Sequence, residues 1–281
     1  MEKSSNNSTD QKVPPSEGFR EAYLLHLADN ALILGHRNSE WCGHGPVLEQ
    51  DIAITNISLD LIGQARNFYQ YAARLINESP QSVGSKTLPS EGLGEVSEDS
   101  LAYLRDVREF KNCLLAEQPN GDWAQTILRQ FFFSAYQFYL YSQLQNGADE
   151  QLAAIAVKSL KEVTYHLRWS SEWVIRLGDG TDESHKRVAR AVDELWAYTD
   201  EFFIPVNYEQ QAAEAGIAID LKSLKNKWLE KVNEVFAEAT LAIPVNEKKY
   251  TGGKEGNHTD NLKEILADLQ YMQRTYPGSE W

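Results

Sequence analysis

The helical spacing of apolar residues along nearly the whole chain constrains its fold more than any other feature. Leu24, Leu27, Ala31 and Leu34 form one apolar stripe, and a broad apolar face continues from about residue 47 to residue 76. Spacings of three and four residues place these side chains on one side of an α-helix. Neither strand-type alternation nor a fixed-period repeat interrupts the pattern. The sequence therefore predicts an all-α fold, a bundle of long helices joined by short polar turns.

Turn and capping signals divide the rest of the chain into further helices. Glycine, proline and asparagine mark the ends of these segments, and acidic or hydroxyl residues mark their starts. The predicted third helix runs from residue 97 to about 117, and the fourth begins after Asp122. The fifth covers about 149–177, and the sixth ends before Pro205. Additional C-terminal helices carry Trp228 and Leu262.

The domain organisation follows from composition along the chain. Residues 1–18, rich in Ser, Asn and Pro, are predicted to be a disordered tail. Residues 19–281 are predicted to form a single domain. Within it, residues 79–96 carry several Pro, Gly and Ser residues and are predicted to be a long loop.

The charge balance excludes two classes of partner. With Lys+Arg 27 and Asp+Glu 41, the formal net charge is −14, and an acidic surface repels nucleic-acid phosphates and anionic lipids. No run of about 18 apolar residues suggests a membrane span, and the N-terminus lacks the apolar core of a signal peptide. We therefore predict a cytoplasmic protein that binds neither nucleic acid nor membrane.

A bundle of long helices raises the question of a ferritin-like di-iron site. Such a site takes one Glu from each of two helices and a Glu-x-x-His motif from each of the other two. The predicted fourth helix contains no Asp or Glu between residues 123 and 148, and Leu61 and Gln64 stand in the second helix where ligands are needed. Glu162 and His166, four residues apart in the fifth helix, are the surviving fragment. The sequence predicts a ferritin-like bundle that has lost its metal ligands.

Glu162 and His166 are interpreted as a buried polar pair whose members satisfy each other's hydrogen bonds. Ligation of a metal by the two is the alternative. No catalytic, cofactor-binding or metal-binding residue is predicted in this chain. The segment Gly252, Gly253 and Lys254 is interpreted as a turn in preference to a phosphate-binding loop, because no strand–loop–helix pattern surrounds it.

The predicted fourth helix is unusually rich in aromatic residues, and this points to a partner. One bundle core does not easily absorb so many large rings, and aromatic side chains are enriched at interface cores. We therefore predict a heteromer formed through this helix, with a wholly inward orientation of the rings as the alternative. These residues are Trp123, Phe131, Phe132, Phe133, Tyr136, Phe138, Tyr139 and Tyr141.

Motifs in a fixed order resemble one known family. From about residue 23 to residue 281, the chain is similar to the C subunit of the phenylacetyl-CoA epoxidase, a ring 1,2-phenylacetyl-CoA monooxygenase. The motifs are residues 40–44, 59–68, 117–121, 165–168, 178–182 and 251–254.

The resemblance implies a function, a set of partners and a location for the iron. It implies a non-catalytic, ferritin-like structural subunit that supports a homologous catalytic A subunit, which holds the iron. It further implies other complex subunits and a flavin and iron–sulfur reductase, in aerobic phenylacetate degradation. The alternatives are a self-sufficient di-iron oxidase with atypical ligands and a free-standing helical scaffold unrelated to oxygenation.

A final prediction concerns peripheral contact with phenylacetyl-CoA. Arg105, Arg108 and Lys111 recur every three residues on the predicted third helix, and the CoA phosphates need cationic partners. A solvated helix with local ion pairs, formed with acids such as Asp106, is the alternative. The predicted contact residues are Arg105, Arg108, Glu109, Phe110, Lys111, Asn112, Gln210 and Gln211.

Overall fold

The computed structural model describes residues 18–79, 95–245, 248–277 and 279, and within these ranges it contains helices and turns but no strand. The all-α, ferritin-like class is confirmed. Apart from their end residues, the predicted tail and the predicted loop at 79–96 lie outside the described residues. The α-helices are α1 (Phe19–Ser39), α2 (Leu48–Glu78), α3 (Glu98–Tyr103), α4 (Leu114–Glu117), α5 (Trp123–Leu144), α6 (Glu150–Gly178), α7 (Asp182–Leu195), α8 (Asn207–Glu214), α9 (Leu221–Glu238), α10 (Asp260–Leu269) and α11 (Tyr271–Thr275). Short 3₁₀ segments occupy Val107–Glu109, Trp196–Phe203 and Gly253–Glu255.

Four long helices form the bundle. α1 packs along α2, α5 packs along α6, and α2 also packs against α6. The connections within the first two pairs are short, as expected for antiparallel neighbours. Across the α2–α6 seam, Gln50 reaches Trp169 and Trp173 near one end, and Tyr71 reaches Asp149 near the other. These two helices are therefore antiparallel as well, and they face each other along most of their length.

Most aromatic rings of α5 lie inside the protein, whereas Trp123, Phe138 and Tyr139 are half-buried. Phe131, Phe132, Phe133, Tyr136 and Tyr141 are all buried. α7, the 3₁₀ segment Trp196–Phe203 and α9 cover the side of α5 that faces away from the bundle. For these five rings the predicted partner surface is wrong, because they are buried within the chain, and for Trp123, Phe138 and Tyr139 it stays a prediction. Burying each ring contributes about 1.5–3 kcal/mol of hydrophobic stabilisation.

The predicted third helix, 97–117, is not one helix. It is divided into α3, the 3₁₀ segment Val107–Glu109 and α4. Backbone N–H groups between these elements donate to buried side chains of α1. Lys111 N donates to Asp29 Oδ2 at 2.7 Å, and Cys113 N donates to Asn30 Oδ1 at 2.8 Å. These tertiary acceptors replace the helical carbonyls. The predicted stripe of Arg105, Arg108 and Lys111 on one helix face is therefore wrong.

Candidate metal centre and buried charge network

Asp60 and Gln64 of α2 face His166 and Glu162 of α6 in the middle of the bundle. His166 Nε2 lies 2.9 Å from Asp60 Oδ2, and Gln64 Nε2 donates to Glu162 Oε2 at 2.9 Å. The predicted pairing of Glu162 with His166 is therefore wrong. Each side chain bonds across the helix seam instead, because α2 presents two polar groups at the same four-residue spacing. His166 is buried, whereas Glu162 is half-buried.

These residues do not fit a di-iron centre. Gln64 offers a neutral amide, which is a poor iron ligand, and the buried Leu61 offers no donor atom. On α5, Gln137 donates to the Tyr141 hydroxyl at 3.3 Å, and that hydroxyl lies 3.5 Å from Gln64 Oε1. Among the residues that the structure describes, no group of three or more His, Cys, Asp and Glu side chains is placed to hold a metal ion.

The Glu162→Gln variant is expected to change stability slightly and turnover of an assembled complex not at all. Its amide oxygen still accepts from Gln64, so only the charge assistance of that hydrogen bond is lost at a half-buried site, which costs about 1 kcal/mol or less. Thermal unfolding of the isolated chain and turnover of the assembled complex measure the two effects. A variant that folds normally but abolishes turnover would instead indicate a role in the reaction.

A second cluster of polar side chains surrounds Asp29 of α1, which is fully buried. Arg105 forms two hydrogen bonds with its carboxylate, and the Tyr69 hydroxyl and the Lys111 backbone N–H also donate to it. Nearby charge raises the pKa of Arg105 despite its burial, chiefly through Asp29. A buried ion pair is tolerated only when its remaining donors and acceptors are satisfied, and this one meets that requirement.

The glycine-bearing segment at 251–254 holds a carboxylate of the chain itself. Gly252 N and Gly253 N donate to Glu201 Oε1 at 2.9 and 2.8 Å, and Leu114 N donates to Glu201 Oε2 at 2.6 Å. A Cβ at Gly253 would lie 2.4 Å from the Asn112 carbonyl oxygen. The segment thus connects the C-terminal region to α4, and the backbone donors of Gly252 and Gly253 are already satisfied.

Lys254 of the same segment is also directed inward. Its ammonium group donates to both carboxylate oxygens of Glu209 on α8, at 3.1 and 3.0 Å, and both residues are buried. A cation engaged in this way is not available to a ligand phosphate. The interpretation of this segment as a structural element, rather than a phosphate-binding loop, agrees with these contacts.

Glu117 joins α4 to the start of α10. Its carboxylate is fully buried and accepts from Thr259 N at 2.7 Å, from Asn112 Nδ2 at 2.8 Å and from His258, whose Nδ1 lies 2.8 Å away. Burial alone would lower the pKa of His258, but the hydrogen bond and charge of Glu117, with the Phe110 carbonyl, raise it above the ordinary value. The folded protein therefore stabilises the protonated imidazole more than water does.

Stability is expected to fall as pH rises above about 6.5, the ordinary histidine pKa. Because the pKa of His258 is raised on folding, its contribution is fully present below the unfolded value and is lost as pH rises through the folded value. Melting temperatures measured from pH 6 to pH 9 check this. The His258→Gln variant is expected to show a shallower decline, and an equal decline in both proteins would contradict the assignment.

The predicted CoA-contact residues fall into two groups. Arg105, Phe110 and Asn112 are buried and engaged within the chain, so they present no surface to a substrate. The others keep exposed or half-exposed side chains, and their contact with phenylacetyl-CoA stays a prediction. These are Arg108, Glu109, Lys111, Gln210 and Gln211.

The fold and this centre define a class of protein: a ferritin-like helical bundle with hydrogen-bonded amide, imidazole and carboxylate groups across the α2–α6 seam. The chain belongs to the family described as "Phenylacetic acid catabolic protein", whose model matches residues 6–281. It is 46% identical, over 260 residues, to the C subunit of the 1,2-phenylacetyl-CoA epoxidase of Escherichia coli (strain K12). The similarity covers 92% of this chain and 98% of that protein. None of the described helices is long and apolar enough to cross a membrane.

Proposed function

We propose that this chain is a non-catalytic structural subunit of a 1,2-phenylacetyl-CoA epoxidase, a multicomponent oxygenase complex of phenylacetate catabolism. The observation that carries the proposal is the α2–α6 seam, where Leu61 and Gln64 stand in place of metal ligands and Asp60 engages His166. The similarity to the C subunit of such an epoxidase, over nearly its whole length, supports the same function.

In this proposal the reaction takes place in a partner. A homologous catalytic A subunit binds the iron that activates oxygen, and this chain binds and supports that subunit. The other complex subunits, a flavin and iron–sulfur reductase as electron donor, and a cytoplasmic location belong to the same proposal. Phenylacetyl-CoA contacts this chain at most at its periphery, with Arg108 and Lys111 as the remaining cationic candidates.

Co-expression with the catalytic A subunit tests this proposal. We expect a stable heteromer by size-exclusion chromatography, and we expect turnover by the assembled complex but not by this chain alone. A chain that stays monomeric with the A subunit in excess would contradict it. Epoxidation by the purified chain with a reductase would instead favour the alternative, a self-sufficient di-iron oxidase with atypical ligands.

The CoA prediction is tested with the Arg108→Ala, Lys111→Ala double variant in the assembled complex. Loss of a charged contact is expected to weaken acyl-CoA binding by about 1–2 kcal/mol per phosphate contact, and more strongly at low salt. Titration with phenylacetyl-CoA at two salt concentrations measures the effect. An unchanged dissociation constant at low salt would show that these cations belong to a solvated surface.

A further inference from the structure

One face of α2 exposes large apolar side chains to solvent. Leu48, Ile52, Leu59 and Ile62 are all exposed, Leu59 by 61%. Their separations place Leu48, Ile52 and Leu59 along one side of the helix, and Ile62 lies at the edge of this side that borders Gly35 of α1. Single exposed apolar residues are ordinary, but several along one side of a surface helix, here interrupted by the exposed Asn56, indicate a binding surface.

Gly63 lies within this stripe in the interior of a helix of 31 residues. A Cβ built at Gly63 meets no heavy atom within 4 Å, so nothing within the described part of the chain requires glycine there. A glycine in a helix interior weakens the helix relative to alanine. It also lets another helix approach closely, because interaxial distance depends on the side chains at the contact. Together with the apolar neighbours, it indicates where a partner helix crosses α2.

The neighbouring face of α6 adds aromatic and cationic groups. Between residues 157 and 168, Val157 and Tyr165 are exposed, and the exposed charged residues are the cations Lys158, Lys161 and Arg168. On α2, Arg66 is exposed but pairs with Glu98 at 3.4 Å, and Glu49 is exposed at the Leu48 end of the stripe. The half-buried acids Asp60 of α2 and Glu162 of α6 are engaged at the seam. Around Leu59 and Tyr165, the exposed charges outside any ion pair among the described residues are therefore the three cations of α6, although the chain carries a net charge of −14.

The local charge favours one kind of occupant. In a symmetric contact between two copies, the same patch faces itself, so the cations of this surface would lie opposite one another. Like charges across an interface cost free energy, whereas acidic groups opposite them are attracted. The occupant is therefore a different protein that carries acidic residues around an apolar helix ridge.

We propose that the exposed face of α2 around Leu59 and Gly63, flanked by Tyr165 and the cations of α6, is the docking surface for a helix of the catalytic A subunit. This inference rests on the proposed function. Leu48, Ile52, Leu59 and Ile62 supply the apolar contact, and Gly63 allows close approach of the two helix backbones. The cations of α6 pair with acidic groups at the rim of the partner.

Gly63 variants distinguish this surface from an ordinary solvated face. In the isolated chain, Gly63→Ala is expected to raise the melting temperature by about 1–3 °C, because alanine favours the helix and meets no neighbour. In the heteromer, Gly63→Leu is expected to weaken binding of the purified A subunit at least about tenfold, since a bulky side chain blocks close approach. Circular dichroism confirms folding of each variant, and isothermal titration measures affinity.

Leu59→Glu is expected to weaken A-subunit binding to a similar extent. Its matched control is Tyr271→Glu on α11, because Tyr271 has the same exposed fraction of 61% but lies away from this surface. The control should bind like the unmodified chain. Lys158→Glu with Lys161→Glu is expected to slow association and to reduce its dependence on salt.

The possible outcomes separate the two proposals. If the unmodified chain binds the A subunit and the Gly63→Leu and Leu59→Glu variants bind equally well, the docking surface is wrong and the proposed function stands. If the unmodified chain does not bind the A subunit at all, the proposed function fails, and this assignment fails with it. A homodimer of the isolated chain that Gly63→Leu disrupts would overturn the choice of occupant in favour of a second copy.

Discussion

Replacing Asp29 by alanine is expected to lower the free energy of unfolding by about 3–5 kcal/mol, the cost of breaking a buried ion pair. The variant leaves Arg105 charged and buried, and it removes the acceptor for Tyr69 and for the Lys111 backbone N–H. Chemical denaturation of the isolated chain measures the loss. Because Asp29 joins α1 to the segment between α3 and α4, the effect should include loosening of that segment.

Two further variants test the cause of this loss. Glu183→Ala removes an exposed acid that pairs with Arg187 on the surface of α7, and it is expected to leave the unfolding curve unchanged. The double variant Asp29→Ala, Arg105→Met is expected to be more stable than Asp29→Ala alone, because no uncompensated charge remains buried. If the double variant were the less stable of the two, the charge of Arg105 would not be the source of the destabilisation.

The Glu201→Ala variant is expected to cost at least about 3 kcal/mol. It leaves the backbone N–H groups of Leu114, Gly252 and Gly253 without their acceptor, and an unsatisfied buried donor costs about 1–3 kcal/mol. Glu201 is 2% exposed, so water does not easily replace the carboxylate. Hydrogen exchange should show the greatest loss of protection at these three amides.

The Glu201→Gln variant serves as the matched control. Its amide oxygen can accept from the donors on one side of the carboxylate position, but its NH₂ group faces the remaining donors. We therefore expect a loss in the free energy of unfolding that is smaller than that of Glu201→Ala. A Glu201→Ala protein with an unchanged unfolding midpoint would contradict the role given to the 251–254 segment. In that case, these backbone donors would be satisfied by other groups in solution.

The long helices can be predicted from the sequence because their apolar spacing is strong and local. The spacing predicts α2 over about 47–76, and the helix spans Leu48–Glu78. The break after α3 cannot be predicted in the same way. Residues 97–117 have helical character, but acceptors distant in sequence, Asp29 and Glu201, take up their backbone N–H groups. Pairings over such distances leave no periodic signal.

The sequence predicts the composition of the candidate centre but not its pairing. Leu61 and Gln64 can be recognised in the sequence as residues that are unsuited to bind iron. The partners of Glu162 and His166, in contrast, depend on the register between α2 and α6. Sequence reasoning misses the charge network, although one signal is present: Asp29 lies within the first apolar stripe, between Leu27 and Ala31. A charged residue in such a stripe is seldom buried unless it is paired. For Glu117 and Glu201, no comparable local signal exists.

The metal content of the purified chain tests the central claim most directly. Inductively coupled plasma mass spectrometry should be applied to the chain expressed alone in iron-supplemented medium and to its complex with the catalytic A subunit. We predict no stoichiometric iron, manganese or zinc in the isolated chain. In the complex, we predict that the iron content is proportional to the amount of A subunit. About two irons per isolated chain, lost in the Glu162→Ala, His166→Ala double variant, would contradict the account and establish a di-iron site in this protein.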